Sequence, residues 1–558
     1  MIDLECLAYG VGQADEGVCL VLQIGPYRVM LDCGLSDLSG FTSKNKKSVP
    51  PADLVLCSHA HADHARGLLY LHQAFPKIPI YGSEVTTHFL PLNWSEVPAS
   101  QLPMFCQALP WRTPVEFLDG LSAELYPAGH LPGAAAILLT YIPPSGESDR
   151  PYTVLYTGDF FLSNTRLVEG LHLEELRGLQ PDVLIVEGSY GTSRHPHRRQ
   201  QENHLAERIN YAIANNQSIL LPTPPLGLGQ ELLMLLRSHH YFTGRDINIW
   251  VDGLVATGCD AYLNILPQLP SSVQNFAKHQ ALFWDERVRP RVRRVTPELR
   301  HEIGQAPCIV ITDETVSLQE CYGGNPSDWL ILLPQEPHRQ ADWEERLHRE
   351  FGSNPHPQVE TYLLAQHCDG PGTTQLIHNV RPQHVVFFHA PWNYLVDLTG
   401  LDELHNRYHL HLPPPGTRVE LPIGETFIQP APPETSYEGE LTELETVVTI
   451  TLPDAITTDP RWRTLSDTGL VEARWQGDEL VLRGVPQREL LRQGSDRLMD
   501  WMDANSPLRN CCGNCRHYRG QRCWNSASPL FEFKVTPEGF CPVFESVQVS
   551  PQQDENRR

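Results

Sequence analysis

Residues 58–68 read Ser-His-Ala-His-Ala-Asp-His-Ala-Arg-Gly-Leu and follow the apolar run Leu54-Val55-Leu56-Cys57 without a break. Three imidazoles (His59, His61, His64) and one carboxylate (Asp63) fall within six residues at the end of a strand-like segment. Imidazole and carboxylate are borderline-to-hard ligands that suit Zn2+, and four packed this closely cannot all face one ion without leaving capacity for a second. Extended backbone points His59 and His61 to one side, whereas Asp63 and His64, at the turn into a helix, can address a neighbouring ion. Two cations a few ångströms apart are a recurring hydrolytic device. A histidine-rich surface loop is the bland alternative, but a strand followed by this spacing is far more specific than a lone histidine.

Further ligands follow in order. In Ala128-Gly129-His130-Leu131-Pro132-Gly133 the glycines let the backbone approach a metal closely, so His130 is expected as the third imidazole on the first ion. The run Val154-Leu155-Tyr156-Thr157-Gly158-Asp159 ends a buried strand on a carboxylate that can bridge two cations, which makes Asp159 the expected bridge. Together these segments resemble the signature of the metallo-β-lactamase fold. The resemblance implies that Asp32, in Leu31-Asp32-Cys33-Gly34, sits behind the metal histidines and orients them.

Three later motifs narrow the resemblance. Val183-Leu184-Ile185-Val186-Glu187 ends a strand on an acid and is followed by Gly188-Ser189-Tyr190-Gly191. His367 lies in Leu363-Leu364-Ala365-Gln366-His367-Cys368-Asp369, and His389 ends Val385-Val386-Phe387-Phe388-His389 after an intervening helical stretch. In this order they resemble the motifs of the β-CASP branch, nucleases that carry a nucleic-acid-specific domain inserted into the lactamase-like one. By that resemblance His389 completes the second ion's shell with Asp63, His64 and Asp159. His367, held by Glu187, stands across the scissile bond, where it can donate a proton to the leaving oxygen.

The implied architecture is α/β: an αββα metallo-β-lactamase sandwich with an inserted β-CASP α/β domain, a small C-terminal β element and a Cys-rich tail. The expected divisions are 1–200 and 359–428 for the lactamase-like domain, 201–358 for the insertion, 429–508 for a linker and β element, and 509–548 for the tail. Strands alternating with helical patterns across the insertion predict a largely parallel sheet. Relatives usually have an arginine where this chain has Leu228, and a glycine-rich loop where it has residues 313–318. Both help hold the nucleic-acid backbone in those relatives.

At 558 residues the chain exceeds one ordinary core. Its net charge of −24 opposes a polyanion's approach unless positive potential is local. The run Arg287, Arg289, Arg291, Arg293 and Arg294 is the obvious basic stretch, and phosphate contact and solvated surface are both open for it. No apolar run approaches a membrane span, the acidic N-terminus does not read as a signal peptide, and cysteines scattered through the first 370 residues read as reduced thiols, so a cytoplasmic location is expected. In the tail, Cys512, Cys515, Cys523 and Cys541 could hold one structural zinc, or an iron–sulfur cluster.

The leading expectation is a ribonuclease with two zinc ions, acting on single-stranded RNA in RNA processing or decay, alone, as a homodimer or within a processing complex. Two other classes remain open. One is a noncatalytic β-CASP-like scaffold or partner subunit, which Leu228 and the altered loop would suit. The other is a metallo-hydrolase of a non-nucleic-acid ester, which has no need of Glu187, His367 or an inserted domain.

Overall fold

The computed structural model describes residues 4–13, 16–41, 49–144, 150–313, 326–335, 346, 349–350 and 357–424, the strands Val471–Gln476 and Glu479–Gly484, and residues 515–519, 522–525 and 535. Contacts divide the chain into two units, Met1–Pro433 and Glu434–Arg558.

The first unit is built on three sheets. One has seven strands in the order Thr417–Glu420, Leu4–Val11, Val18–Ile24, Tyr27–Leu31, Leu54–Leu56, Ile80–Ser83 and Cys106–Leu109. The second also has seven: His409–His411, His384–Phe388, Val183–Glu187, Tyr152–Tyr156, Ala135–Tyr141, Leu121–Pro127 and Val115–Leu118. Side chains alternate across a strand, and here both faces are apolar because both are covered. Val183 and Ile185 join Leu20, Leu22, Leu54 and Leu56 in the core between the two sheets. Their neighbours Leu184 and Val186 face outward into a second core shared with residues of the helices Leu68–Ala74, Gly370–Val380 and Trp392–Thr399. The result is the expected αββα layering. Each fully buried Leu or Ile contributes roughly 1.5–3 kcal/mol, so the two-faced strands anchor both cores at once.

The third sheet has six strands, Arg291–Arg294, Asn248–Val251, Ile309–Asp313, Ser218–Thr223, Trp329–Pro334 and Gln358–Tyr362, with every neighbouring pair parallel. Leu220, Trp250, Val310, Trp329 and Ile331 fill one face. Ile219, Leu221, Ile249 and Ile311 fill the other, with residues of the helices Arg198–Ala214, Leu228–Ser238 and Gly253–Asn264. Leu228 is buried in that core and offers no charge to a phosphate. Of the altered loop only Asp313 is described. It is buried and accepts the Leu254 N–H at 2.6 Å, fastening the start of the helix Gly253–Asn264; residues 314–318 lie outside the described residues.

In the second unit, Val471–Gln476 and Glu479–Gly484 form an antiparallel hairpin, and Tyr518–Arg519 pairs with Arg522–Cys523. Cys515 precedes that short pair and Cys523 belongs to it, while Cys512 and Cys541, the other two expected tail ligands, lie outside the described residues. Among the described residues no helix is long and apolar enough to cross a membrane.

Candidate metal centre

Each expected core residue follows or ends a strand. Asp32 follows Tyr27–Leu31, His59 to His64 follow Leu54–Leu56, His130 follows Leu121–Pro127, Asp159 follows Tyr152–Tyr156, Glu187 ends Val183–Glu187, His367 follows Gln358–Tyr362 and His389 follows His384–Phe388. Within each central sheet the strands that deliver these residues run in the same direction, directly or through an antiparallel neighbour. Their C-terminal ends therefore open on one rim, the place where open α/β sheets hold ligands.

Three overlapping ligand groups meet there, one of them made of Asp159, His367 and His389. His59, His61, His130 and Asp159 have ligand atoms within 4.8 Å of one another, and so do Asp63, His64 and His389. Asp159 joins them. Its Oδ2 lies 3.4 Å from His59 Nε2, 3.7 Å from His130 Nε2 and 3.6 Å from His389 Nε2, and its Oδ1 lies 3.2 Å from His64 Nε2. His61 Nδ1 is 3.2 Å from His59 Nε2 and 3.0 Å from His130 Nε2. A tetrahedron with bonds of about 2.0–2.1 Å has edges of about 3.3 Å, so these spacings fit a divalent cation. His64 Nε2 and Asp159 Oδ1 are buried without a hydrogen-bond partner, as suits atoms that face a cation.

The outward ring nitrogens of His59, His61, His64 and His130 are engaged. His64 Nδ1 meets Asp32 Oδ2 at 2.7 Å, and Asp32 also accepts from Ser58 N–H, Ser58 O–H and Tyr156 O–H, each at 2.6 Å. Ser58 Oγ lies 3.0 Å from His59 Nδ1, so Asp32 reaches His64 directly and His59 through one hydroxyl. His130 Nδ1 faces the Gln366 carbonyl at 2.9 Å, and His61 Nε2 faces that of Leu226 at 3.3 Å. Such contacts choose the tautomer and aim the other nitrogen inward.

Electrostatics sort the imidazoles. Burial holds His61 down to about 3 and His130 well below the ordinary range, with His367 adding to the latter, so both stay neutral with lone pairs to offer. For His64 burial opposes charge, but Asp159 and Asp32 prevail and raise it well above the ordinary value. That surplus of negative charge is what a bound cation neutralises.

Backbone strain marks the same place. Asp32 and His389 adopt left-handed conformations, with φ of 58° and 57°, which costs roughly 1–3 kcal/mol each for non-glycine residues. His389 N–H donates to Val11 O at 2.6 Å, and a Cβ on Gly12 would sit 2.3 Å from His389 Nδ1. Gly12 is thus the space into which the ring fits.

Beside the ligands, Glu187 is buried. It accepts from Phe160 N–H at 2.8 Å and from Ser189 O–H, and meets His367 Nδ1 at 3.0 Å through both oxygens. His367 Nδ1 is 4.0 Å from Asp159 Oδ2, so it stands next to the ligands while Glu187 holds the nearer contact. Ser58, Tyr156, Ser189, Gly12 and the carbonyls of Leu226 and Gln366 were not foreseen. Ser58 adjoins His59 and Ser189 adjoins the Glu187 turn, but a backbone carbonyl leaves no trace in residue type.

Residues 13–209 match the family model described as the metallo-beta-lactamase superfamily. An uncharacterized protein of Synechocystis sp. is 49% identical over 98% of this chain and 98% of its own length. A probable RNase of Methanocaldococcus jannaschii is 28% identical, the match covering 46% of this chain and 61% of that one. The endoribonuclease ysh1 of Schizosaccharomyces pombe is 28% identical over 47% of this chain and 37% of its own. The chain belongs to the β-CASP branch of the metallo-β-lactamase superfamily. As in that branch, the histidine- and aspartate-rich centre lies within a lactamase-like sandwich, and a parallel α/β sheet intervenes between Glu187 and His389.

Proposed function

We propose that this chain is a metal-dependent ribonuclease that hydrolyses RNA phosphodiester bonds with two cations, zinc being the ion that its nitrogen-rich donor set suits. The observation that carries the reading is the Glu187–His367 pair set beside Asp159, which a simple ester hydrolase on the same ligands does not need. The RNase names of the two characterised-by-name relatives support it.

His59, His61, His130 and Asp159 would hold one cation, and Asp63, His64, His389 and Asp159 the other. When bound, the pair supplies Lewis-acid charge to the phosphoryl oxygens and acidifies water toward neutral pH. Asp32 and Ser58 keep His64 and His59 in register, an arrangement that removes their rotational freedom before substrate arrives. Glu187 accepts the Nδ1 proton of His367 and leaves Nε2 to carry the proton passed to the departing 3′ oxygen. The other product keeps the 5′ phosphate. A complete ligand set speaks against a noncatalytic role.

The test combines metal analysis of the purified protein with cleavage of an end-labelled single-stranded RNA by wild type and by Asp63→Ala. About two zinc ions in the first unit, with cleavage lost in the variant, are expected. Full metal content with intact RNA would overturn the ribonuclease reading in favour of a binding role.

A further inference from the structure

Two arginine-rich stretches differ in what their cations do. In residues 287–294 every arginine is spent on a carboxylate of its own surroundings: Arg287 on Asp285 at 3.1 Å, Arg289 on Asp246 at 3.4 Å, Arg291 on Asp246, Arg293 on Glu302 at 2.7 Å and Arg294 on Asp260. Arg293 and Arg294 also lie over the rings of Trp250 and Trp284. That run is neutralised structure.

The segment Arg194-His195-Pro196-His197-Arg198-Arg199 is different. Arg198 is turned inward, donating to the Ala365 carbonyl and standing 3.5 Å from Glu202. Arg194, His197 and Arg199 are exposed, and among the described residues neither the Arg194 nor the Arg199 side chain has a carboxylate or hydrogen-bond partner. Among the described residues of the first unit they are the arginines left uncommitted, in a chain of net charge −24.

Their position is tied to the centre. His195 N–H donates to Asp369 Oδ2 at 2.9 Å, and Gly370 N–H donates to Ser193 O at 2.8 Å, zipping this segment to the one that carries His367. The Tyr190 ring packs 4.3 Å from the ring of His195 and 6.3 Å from that of His367. Exposed guanidinium groups on a segment fastened to the one that carries His367 suit a strand's phosphates, because local positive potential is the term that holds a polyanion. We propose that Arg194, His197 and Arg199 form the surface that grips the RNA backbone next to the cleaved bond, a task that the buried Leu228 and the ion-paired run 287–294 do not perform. The inference rests on the ribonuclease reading.

The experiment measures binding of a fluorescent single-stranded RNA by anisotropy across a salt series, with steady-state cleavage in parallel, for wild type, Arg194→Ala/Arg199→Ala, Arg194→Lys/Arg199→Lys and Arg287→Ala/Arg289→Ala. Loss of two phosphate contacts should lower the slope of log affinity against log salt by about 1.4 and weaken binding roughly tenfold at low salt. KM should rise with kcat and metal content unchanged, the lysine pair should recover most of the affinity, and the second alanine pair should match wild type. A wild type that cleaves while Arg194→Ala/Arg199→Ala keeps both slope and KM would overturn this surface alone. A metal-loaded wild type that neither binds nor cleaves RNA would overturn the ribonuclease reading and the surface with it. RNA bound through these arginines without cleavage would uphold the surface and overturn the catalytic reading.

Discussion

The central pair of sheets and the inner strands of the third sheet are apolar on both faces, yet, apart from Gln358–Tyr362, which leads to His367, the third sheet treats its C-terminal ends in the opposite way. At the central rim the strand ends carry Asp32, His59, Asp159, Glu187 and His389, whose side chains converge. In the third sheet the acids at the strand ends are consumed locally. Asp252 accepts from Gly253 N–H and from Arg300, and Asp313 accepts from Leu254 N–H. One set is aimed at a shared point and strained into place; the other closes helix starts. The lesson is that a polar residue after an apolar strand marks chemistry only when several strands deliver theirs to one rim.

That contrast can be broken by substitution, and the largest effect belongs to the shared carboxylate. Asp159→Ala should empty both ligand groups of metal and reduce RNA cleavage to background, as metal analysis with a cleavage assay would reveal; retained metal would mean that the groups are independent. Next, His367→Ala should keep its metal but cleave roughly 10²–10⁴-fold more slowly, the usual worth of a general acid. An equal loss of metal would make His367 a ligand instead.

In the third sheet the expected effect is on stability. Trp250 is fully buried, and Trp250→Ala should cost about 3–5 kcal/mol in denaturant unfolding while the folded fraction keeps its metal. Smaller still is an acid effect in the central layers. Burial, with Arg407 adding to it, holds His378 down to about 4 from an ordinary 6.5. The unfolded chain then binds a proton that the folded one refuses, so stability is complete above about pH 6.5 and declines as pH falls toward 4. His378→Gln should flatten the drop in melting temperature between neutral and mildly acidic buffer, and an unaltered slope would assign the acid sensitivity elsewhere. The least effect is expected from Arg287→Ala, with RNA affinity and melting temperature unchanged, since its side chain is 87% exposed beside Asp285.

Much of this molecule was readable in one dimension. Strand-length apolar runs and their turns marked strands and the parallel sheet of the insertion, because burial on both faces demands near-continuous apolar sequence, while the αββα layering was implied by the family resemblance. The run from His59 to His64 announced a metal site because ligands adjacent in sequence must be adjacent in space. The basic run at 287–294 misleads in isolation: charge is visible in sequence, but the partner that cancels it is not. Asp246 and Asp260, tens of residues away in sequence, reach those arginines only through the fold.

Sequence by itself determined which strands exist, which residues end them and which of those residues have the chemistry of metal ligands. Tertiary structure alone decided that Tyr156 and Ser58 brace Asp32 and that carbonyls from Leu226 and Gln366 aim His61 and His130. It also decided that Leu228 belongs to a core and that the segment carrying Arg194 and Arg199 is tied to the one carrying His367. The physical reason is common to all of these. Residue type fixes what a group can do, whereas distance, burial and the neutralising partner arise from contacts between residues far apart in the chain, and these exist only once the sheets have paired.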